Sequence, residues 1–220
     1  SNGDSDGNST VNARAGDSLA SLANLTSLTS LTSTQATQSE ISTQASTVTG
    51  AFDFSAGETK TITIDGHDYE VENRNSSAAT LSYSINKDTG DLTLTCNSFT
   101  VKAKDDSSQS YIINGQKNWI YGGNGDDKFA HYDTYARYNY LYGEGGNDTF
   151  DITAYGGVVY GGDGDDTVNY ISCGSSQTCY LGEGNDTVNS YSGSNTIYCE
   201  GGKNTINLHY SNGTVYGSDN

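Results

Sequence analysis

The chain has 220 residues, of which 27 are Asp or Glu and 10 are Lys or Arg, so its formal net charge at pH 7 is -17. This length allows one or two domains with a buried core. The acidity disfavours nucleic acids and anionic membranes as partners, because like charges repel, and it suits a protein that binds cations. Simple solubility is the other explanation of the charge.

The chain contains 27 Gly and no Pro, which favours many tight turns between short strands. No apolar run approaches the roughly 18 residues that a membrane span needs, so membrane insertion is not expected. The N-terminus lacks a basic and then apolar segment of the kind that directs secretion. Export would therefore depend on a signal that has been removed or lies elsewhere.

Residues 1–50 form a segment rich in Ser and Thr. Leu recurs in it at every third position, at Leu19, Leu22, Leu25, Leu28 and Leu31. A straight helix cannot keep that spacing on one face, because the stripe rotates by about 60° at each step. The segment is expected to be either a helix buried on several sides or an extended segment packed on its own or a neighbouring subunit.

Residues 51–109 are predicted to form a small β domain that caps the remainder of the chain. Asp65-Gly66 is a strong signal for a two-residue hairpin. The predicted strands pair Lys60–Ile64 with His67–Glu72 and Thr80–Ile85 with Asp91–Thr95, and a further strand runs over Phe99–Lys102. No group of residues in this region forms a recognisable catalytic constellation.

From residue 110 to 220 the chain repeats the motif Gly-Gly-x-Gly-x-Asp-x-U-x, in which U is a large apolar residue. Four copies match it closely: 122–129, 143–150, 161–168 and 181–188. Glu144 and Leu181 are the single departures within them. A fifth, degraded copy has Asn204 in place of the Asp, and another begins at Tyr216. Ordinary hairpin turns are the alternative explanation, but hairpins do not require a fixed register over five copies.

These residues resemble the RTX (repeats-in-toxin) family of calcium-binding nonapeptides over residues 110–220. The resemblance implies an all-β fold, a right-handed parallel β-roll or β-solenoid, in which each nonapeptide gives a turn and a short strand. It implies that calcium lies between successive turns. It also implies export through a dedicated secretion channel and folding outside the cell, where calcium is abundant.

The U positions provide an independent check of the register. They recur at a nearly constant spacing, with two longer steps, at Ile120, Phe129, Leu141, Phe150, Val159, Val168, Cys179, Val188, Ile197, Ile206 and Val215. Only every second copy carries the Gly-Asp loop. The sixth position of the other copies is Asn118, Asn139, Gly157, Gln177, Asn195 or Gly213. Because one coil holds two nonapeptides, we predict that the calcium loops line one edge and that the opposite edge is metal-free.

The Gly-Asp loops offer the oxygen ligands that calcium prefers, six to eight in flexible geometry. We expect the side-chain ligands to be Asp127, Asp148, Asp166 and Asp186. We expect backbone carbonyl ligands at the first and third loop positions, which are Gly122, Asn124, Gly143, Gly145, Gly161, Asp163, Leu181 and Glu183. Three good sites can form between successive loops, and a fourth that involves Asn204 should be weak because the amide has no charge. The stacked carboxylates repel one another, so folding should be coupled to calcium.

The residue after each U position on the metal-free strands is always Tyr. These residues are Tyr121, Tyr142, Tyr160, Tyr180, Tyr198 and Tyr216. Neighbouring rungs of a solenoid lie about 4.8 Å apart, so the rings should stack into one aromatic ladder. The ladder either holds the sheet together or provides an interaction surface for another chain.

The four cysteines, Cys96, Cys173, Cys179 and Cys199, match no zinc motif. A disulfide such as Cys173 to Cys179 and buried free thiols are both open alternatives. The chain lacks the His-Glu-x-x-His and Gly-x-Ser-x-Gly motifs of the secreted proteases and lipases in the RTX family. We therefore expect no catalytic residues.

Two functional classes remain. The first is a secreted, non-catalytic calcium-binding structural protein of an extracellular fibre, surface layer or adhesin, which assembles on calcium binding as a homo-oligomer or head-to-tail filament. The chain ends within a repeat, and an uncapped solenoid end favours such stacking. The second is a calcium-triggered folding module cut from a larger type I-secreted enzyme or toxin.

Overall fold

A computed structural model of the chain describes residues 46–131, 137–153, 155–171 and 176–217. Of the predicted segment 1–50, only residues 46–50 are described, and the leucine repeat from Leu19 to Leu31 lies outside the described residues, so its conformation stays a prediction. The described residues from Val48 onward belong to one compact unit, which is built of β-strands without helices. The described part of the chain has no helix long and apolar enough to cross a membrane.

The first seven strands contain the predicted hairpins. They are β1 (Thr47–Phe54), β2 (Thr59–Ile64), β3 (His67–Asn73), β4 (Ala79–Asn86), β5 (Asp91–Thr95), β6 (Phe99–Ala103) and β7 (Ser110–Asn114). The pairs β2–β3 and β4–β5 are antiparallel, which confirms both hairpins. Asp65, in the turn between β2 and β3, has a φ of 54°, as a tight two-residue turn requires.

The repeat region supplies the other strands. They are β8 (Trp119–Gly123), β9 (Lys128–Ala130), β10 (Arg137–Gly145), β11 (Thr149–Ile152), β12 (Tyr155–Asp163), β13 (Thr167–Tyr170), β14 (Thr178–Glu183), β15 (Thr187–Ser190), β16 (Thr196–Tyr198), β17 (Thr205–Leu208) and β18 (Thr214–Tyr216). Every pairing among them is parallel, so the chain forms a parallel β-solenoid of about six turns. This excludes ordinary hairpins for the Gly-Asp loops.

The strands form two nine-stranded sheets. Sheet A has the order β1-β4-β5-β7-β9-β11-β13-β15-β17, and sheet B has the order β18-β16-β14-β12-β10-β8-β6-β3-β2. Both sheets continue across the predicted division at residue 109, and strands β5 and β6, which precede it, already pair in parallel with β7 and β8. Antiparallel strands β2 and β3 extend sheet B, and β4 extends sheet A.

The core lies between the sheets and follows the U positions. From Ile120 to Ile197 these residues are almost fully buried, because strand residues alternate between the two faces of a sheet. Tyr111, Phe129 and Phe150 stack inside sheet A, with ring centroids 5.2 and 4.9 Å apart. A thin two-layer core of this kind depends on neighbouring coils to cover each rung.

The outer face of sheet A carries a ladder of polar side chains. Asn169 donates to Asp151 (2.8 Å), Asn189 to Asn169 (2.9 Å) and Asn207 to Asn189 (2.9 Å). Equivalent side chains on parallel strands in register lie about one strand spacing apart, so amides can bond in a chain along the solenoid. These bonds reinforce the register that the buried U positions set.

One coil precedes the first recognisable Gly-Asp loop. Strand β6 pairs with β8 and strand β7 pairs with β9, both in parallel, so Val101 and Tyr111 continue the two columns of buried residues. The segment 104–109 stacks on the first Gly-Asp loop, with Gln109 beside Asp127. In the sequence this coil is indicated only by the spacing of Val101, Tyr111 and Ile120, because its loop has no Gly.

Candidate calcium site

The Gly-Asp loops all lie on one edge of the solenoid. We number them one to five, as residues 122–127, 143–148, 161–166, 181–186 and 199–204. Each joins a strand of sheet B to the next strand of sheet A, and in-register pairing stacks the loops; Asp163, for example, is opposite both Gly145 and Glu183. The predicted single file of loops on one edge is confirmed.

Glycine at the fourth loop position is required by the close approach of neighbouring loops. Gly164 has a φ of 129°, and a Cβ atom there would lie 2.0 Å from the carbonyl oxygen of Gly146 in the preceding loop. Real contacts of a Cβ are never this short, so a side chain would push the loops apart. The sequence thus sets the tight stacking that brings backbone oxygens together on this edge.

The aspartates at the sixth position form a hydrogen-bonded column. Oδ1 of each accepts a bond from the backbone N–H of the sixth residue in the preceding loop: Gln109 to Asp127 (2.7 Å), Asp127 to Asp148 (2.7 Å), Asp148 to Asp166 (2.8 Å) and Asp166 to Asp186 (2.9 Å). Asn204 ends the column, since its side-chain oxygen accepts from Asp186 N–H at 2.8 Å. One carboxylate oxygen of each Asp is thereby used by the fold.

The second carboxylate oxygen has no protein partner. Oδ2 of all four aspartates, Asp127, Asp148, Asp166 and Asp186, is buried and makes no hydrogen bond. The four residues are buried, with a relative exposure of only 0–2%. A buried carboxylate oxygen without a donor costs free energy unless a proton or a cation satisfies it.

Asn204 has an amide nitrogen, Nδ2, where the four aspartates have the unpartnered oxygen Oδ2. Its Nδ2 donates to the carbonyl of Gly201 in the same loop at 2.9 Å. On the opposite edge Asn118 and Asn139 likewise donate to the carbonyls of Cys96 (2.9 Å) and Gly115 (3.0 Å). Where Asp replaces Asn, a negative oxygen takes the place of that donor and faces other oxygens. Such an arrangement of oxygens suits a hard cation such as calcium.

Backbone carbonyls approach the unpaired oxygens. The Cβ position of Gly143 lies 2.0 Å from Asp148 Oδ2 and 2.4 Å from the carbonyl oxygen of Gly161, in the next loop. The same space at Gly161 lies 2.4 Å from both Asp166 Oδ2 and the carbonyl oxygen of Leu181. A side chain would fill this space, so glycine at the first position keeps it open. The residues present therefore fit a cation between successive loops.

Burial raises the pKa of each aspartate in the column. The pKa rises to about 7 for Asp127, to about 8 for Asp148 and to about 7 for Asp166, and it also rises for Asp186. Desolvation is the main cause in each case, and the backbone N–H bond to Oδ1 opposes it. A cation beside Oδ2 would reverse the shift, because it favours the charged form.

The predicted carbonyl ligands fall into two groups. The first-position carbonyls of Gly161 and Leu181 approach an unpaired carboxylate oxygen. The third-position carbonyl of Glu183 instead accepts a hydrogen bond from Gly164 N–H at 2.8 Å. The geometry thus favours the first-position carbonyls, and the full ligand set stays a prediction. Among the described residues no three acidic, His or Cys side chains converge on one point, as expected where each loop contributes a single carboxylate.

Comparison with protein families agrees with this geometry. A model of the RTX calcium-binding nonapeptide repeat matches in four copies, over residues 114–130, 135–151, 158–170 and 180–208. Residues 114–208 are RTX repeats. No curated protein and no solved structure gives a significant match to the chain. RTX nonapeptide repeats bind Ca²⁺, so the cation expected at the column of aspartates is calcium.

The fifth position of the RTX loops forms a second ladder that the sequence analysis missed. Its side-chain oxygen accepts from the backbone N–H of the following loop: Asn147 to Asp126 (2.6 Å), Asp165 to Asn147 (2.8 Å), Asn185 to Asp165 (2.7 Å) and Lys203 to Asn185 (3.0 Å). The signal was the Asp or Asn at this position in loops one to four. The two ladders point in opposite directions along the solenoid, so each of RTX loops one to four is bonded to both of its neighbours without metal.

The metal-free strands carry the predicted tyrosine ladder. Successive rings from Tyr121 to Tyr216 are stacked almost parallel, with centroids 4.2, 4.5, 5.0, 4.7 and 4.9 Å apart. The rings face one another, so they present their edges and hydroxyl groups outward. All but Tyr216, which is 51% exposed, are half-buried.

The described cysteines are free thiols. Cys96 and Cys179 are buried, and Cys199 is half-buried at the first position of RTX loop five. Burial raises the pKa of the Cys96 thiol to about 12, which makes it an inert core residue. Cys173 lies outside the described residues.

Proposed function

We propose that the chain is a secreted, non-catalytic calcium-binding structural module, part of an extracellular fibre, surface layer or adhesin, that folds and assembles on calcium binding. The observation that carries this proposal is the column of four buried aspartates in RTX loops, each with one unpartnered oxygen. RTX repeat proteins are typically exported by type I secretion. Calcium outside the cell would then supply the charge that completes the fold.

The tyrosine ladder supplies a candidate contact surface. Tyrosine is enriched at protein interfaces because its ring is apolar and its hydroxyl group is polar. The row of ring edges and hydroxyl groups on sheet B is suited to contact with a flat partner surface. We propose that this face contributes to the extracellular assembly, alongside its role in holding the sheet together.

One polar cluster brings a histidine, an acid and a serine together. Nδ1 of His67 lies 2.8 Å from Asp105 Oδ2 and 3.2 Å from Ser107 Oγ. A nucleophile relay needs the serine and the acid on different ring nitrogens. In this cluster the acid and the serine both lie beside the same ring nitrogen, Nδ1. This arrangement supports a structural role for the cluster in the coil before RTX loop one, and a non-catalytic function for the chain.

The alternative is a calcium-triggered folding module within a larger type I-secreted enzyme or toxin. It rests on the same column of aspartates, because calcium-coupled folding is common to both candidates. The two candidates differ in whether the chain associates with itself in calcium, and its solution behaviour separates them.

The test is a calcium titration followed by far-UV circular dichroism, light scattering and electron microscopy on one sample. We expect calcium to increase β-structure and particle size, and EGTA to reverse both. Magnesium is the control, because it requires a smaller octahedral site and retains its water. An absence of calcium-induced β-structure would overturn calcium-coupled folding. A strict monomer in calcium would overturn assembly and leave the folding module.

A further inference from the structure

Three exposed cations lie together where sheet B meets the metal-free edge. Backbone bonds connect their rungs: Arg74 N–H donates to Ser98 (2.9 Å), Ser98 to Gln116 (3.0 Å), and Lys117 to Arg137 (3.0 Å). Arg74, Lys117 and Arg137 therefore lie along one border of the sheet. Arg137 is on the rung next to Lys117, about one strand spacing of 4.8 Å away, and Arg74 is two rungs from Lys117, with Ser98 between them.

Aromatic rings support two of these cations. The guanidinium carbon of Arg74 lies 3.9 Å from the Trp119 ring centroid, and that of Arg137 lies 5.2 Å from the Tyr155 ring centroid. Tyr138 and Tyr155 are 55% and 39% exposed. We call this surface the cationic-aromatic corner; it consists of Arg74, Lys117, Trp119, Arg137, Tyr138 and Tyr155.

The corner is unusual in a chain with a net charge of -17. Four other cations have an acidic partner: Lys60 with Glu58, Lys87 with Asp65, Lys102 with Glu70 and Lys128 with Asp151. Within the described residues Arg74, Lys117 and Arg137 form no ion pair; Lys104 and Lys203 form none either, but they are not accompanied by aromatic rings as Arg74 and Arg137 are. Arg, Trp and Tyr are the residues most enriched at the energetic centres of interfaces. The corner thus offers unpaired charge and rigid apolar area together.

The complementary surface lies on the opposite edge of the same molecule. The RTX loops expose acidic side chains there, which we call the acidic loop edge: Asp126, Glu144, Asp163, Asp165, Glu183 and Glu200. Asp163 and Glu183 are partners on adjacent strands, so these two residues lie about one strand spacing apart, as Lys117 and Arg137 do. The two edges are opposite in charge.

We propose that the cationic-aromatic corner of one molecule binds the acidic loop edge of a second copy, with the two solenoids side by side. The contact joins two different surfaces, so each molecule keeps one of each free and the association continues sideways. Lateral contacts of this kind would turn single solenoids into a sheet. The inference rests on the assembly part of the proposed function and names one surface for it.

Charge reversal on each side tests the contact by sedimentation velocity in calcium. We expect wild-type association at low salt that weakens as salt is added, because exposed charges are screened. Arg74→Glu with Arg137→Glu should weaken association about tenfold or more, and so should Asp163→Lys with Glu183→Lys. Mixing the two double variants should restore association, since the reversed corner fits the reversed edge.

The matched control is Lys60→Glu with Lys87→Glu, which changes the net charge equally but lies outside both surfaces and should leave association intact. Calcium-induced circular dichroism checks that each variant folds. A monomeric wild type under all conditions would overturn both this contact and the proposed assembly. Association that the arginine variant leaves unchanged would overturn the contact alone. Arginine-dependent binding of polygalacturonate by a protein that stays monomeric would replace the second copy with an acidic glycan.

Discussion

The backbone N–H of Asp127 donates a 2.7 Å hydrogen bond to Oδ1 of Asp148, while Oδ2 of Asp148 is buried without a partner. The same carboxylate therefore fixes the register of two RTX loops and offers an unsatisfied charge. Asn204 keeps the first role through its side-chain oxygen and satisfies the second position with an amide donor. The difference between Asp and Asn at one loop position separates a calcium site from a metal-free rung.

The first prediction concerns Asp148→Asn. The amide should donate to its own loop as Asn204 does, so the variant should lose calcium at this site and tolerate calcium-free conditions better than wild type. Calorimetric titration should show fewer strong sites, and the calcium-induced rise in unfolding free energy should fall by roughly 2–3 kcal/mol at 100-fold excess over Kd.

Asn204→Asp is the reciprocal control for that prediction. It removes the donor to Gly201 and adds a charged oxygen to the end of the column. It should bind calcium more tightly at the last gap and be less stable in EGTA. If Asp148→Asn lowered stability equally with and without calcium, the column would be structural and would not bind the ion.

The second prediction is the pH dependence of the calcium-free protein. Burial raises the pKa of Asp127 and Asp166 to about 7 and that of Asp148 to about 8, so the folded state holds protons that the unfolded state releases above about pH 4. Their contribution to stability is complete at low pH and is lost as the pH rises through about 7 to 8. Urea unfolding in EGTA should therefore show stability falling from about pH 6 to about pH 8.5.

Calcium should flatten this profile, because it takes the place of the protons, and its binding should release protons into a weak buffer. The measurement stays above about pH 5.5 because burial lowers the pKa of His131 to about 4, so the unfolded ring takes up a proton below about pH 6.5 while the folded ring stays neutral, and this opposes the trend as the pH falls. If the unfolding free energy of the calcium-free protein rose between pH 6 and pH 8, the conclusion that Oδ2 of these aspartates is buried without a hydrogen-bond donor would be wrong.

The third prediction concerns Glu144, a non-glycine residue with a φ of 77° at the second position of RTX loop two. The same position is Gly162 in loop three and Gly182 in loop four, with φ of 114° and 89°. Glu144→Gly should stabilise the protein by about 0.5–1 kcal/mol, because glycine adopts this conformation without steric strain. Urea unfolding in saturating calcium measures the change.

Glu200→Gly provides the comparison for Glu144→Gly. Glu200 occupies the second position of RTX loop five, where the backbone does not adopt a positive φ. Glycine should bring no gain there and should cost a few tenths of a kcal/mol through chain entropy. Equal effects at the two positions would mean that charge, and not backbone strain, sets the result.

The fourth prediction concerns Gly164→Ala. The added Cβ would lie 2.0 Å from the carbonyl oxygen of Gly146, so neighbouring RTX loops must separate. We expect a loss of about 3 kcal/mol or more and weaker calcium binding. Gly57→Ala is matched, since its φ is 67° and nothing lies within 4 Å of the added atom. It should cost only about 1 kcal/mol, which is the backbone term alone.

Much of the fold follows from the spacing of a few residues. The U positions and the position of Asp127, Asp148, Asp166 and Asp186 in alternate copies predicted the loops on one edge and the tyrosine ladder, because parallel stacking forces equal positions into columns. The hairpin at Asp65-Gly66 followed from turn chemistry. These features depend on local pattern alone.

Other features escaped the sequence because they depend on neighbouring coils. The coil at Val101 and Tyr111 has no Gly-Asp loop. Gln109 occupies in it the loop position that Asp127 has in the next coil, and this equivalence is visible only when the two coils are stacked. Oδ2 of each aspartate has no partner because the side chain is buried and because the one backbone N–H beside it donates to Oδ1, and neither fact can be read from the sequence. The cationic-aromatic corner includes Arg74 and Arg137, which are 63 positions apart in the sequence and are brought to the same border by the rungs between them.

The tyrosine ladder also gives the protein an optical signal of its own. Parallel phenol rings at centroid distances of 4.2–5.0 Å couple their electronic transitions, so excitation is shared along the column. The coupling between two neighbouring rings requires their coils to remain in register, and it is lost only where those two coils separate. The near-ultraviolet circular dichroism of the unlabelled chain therefore reports how many rungs are stacked at a given calcium concentration.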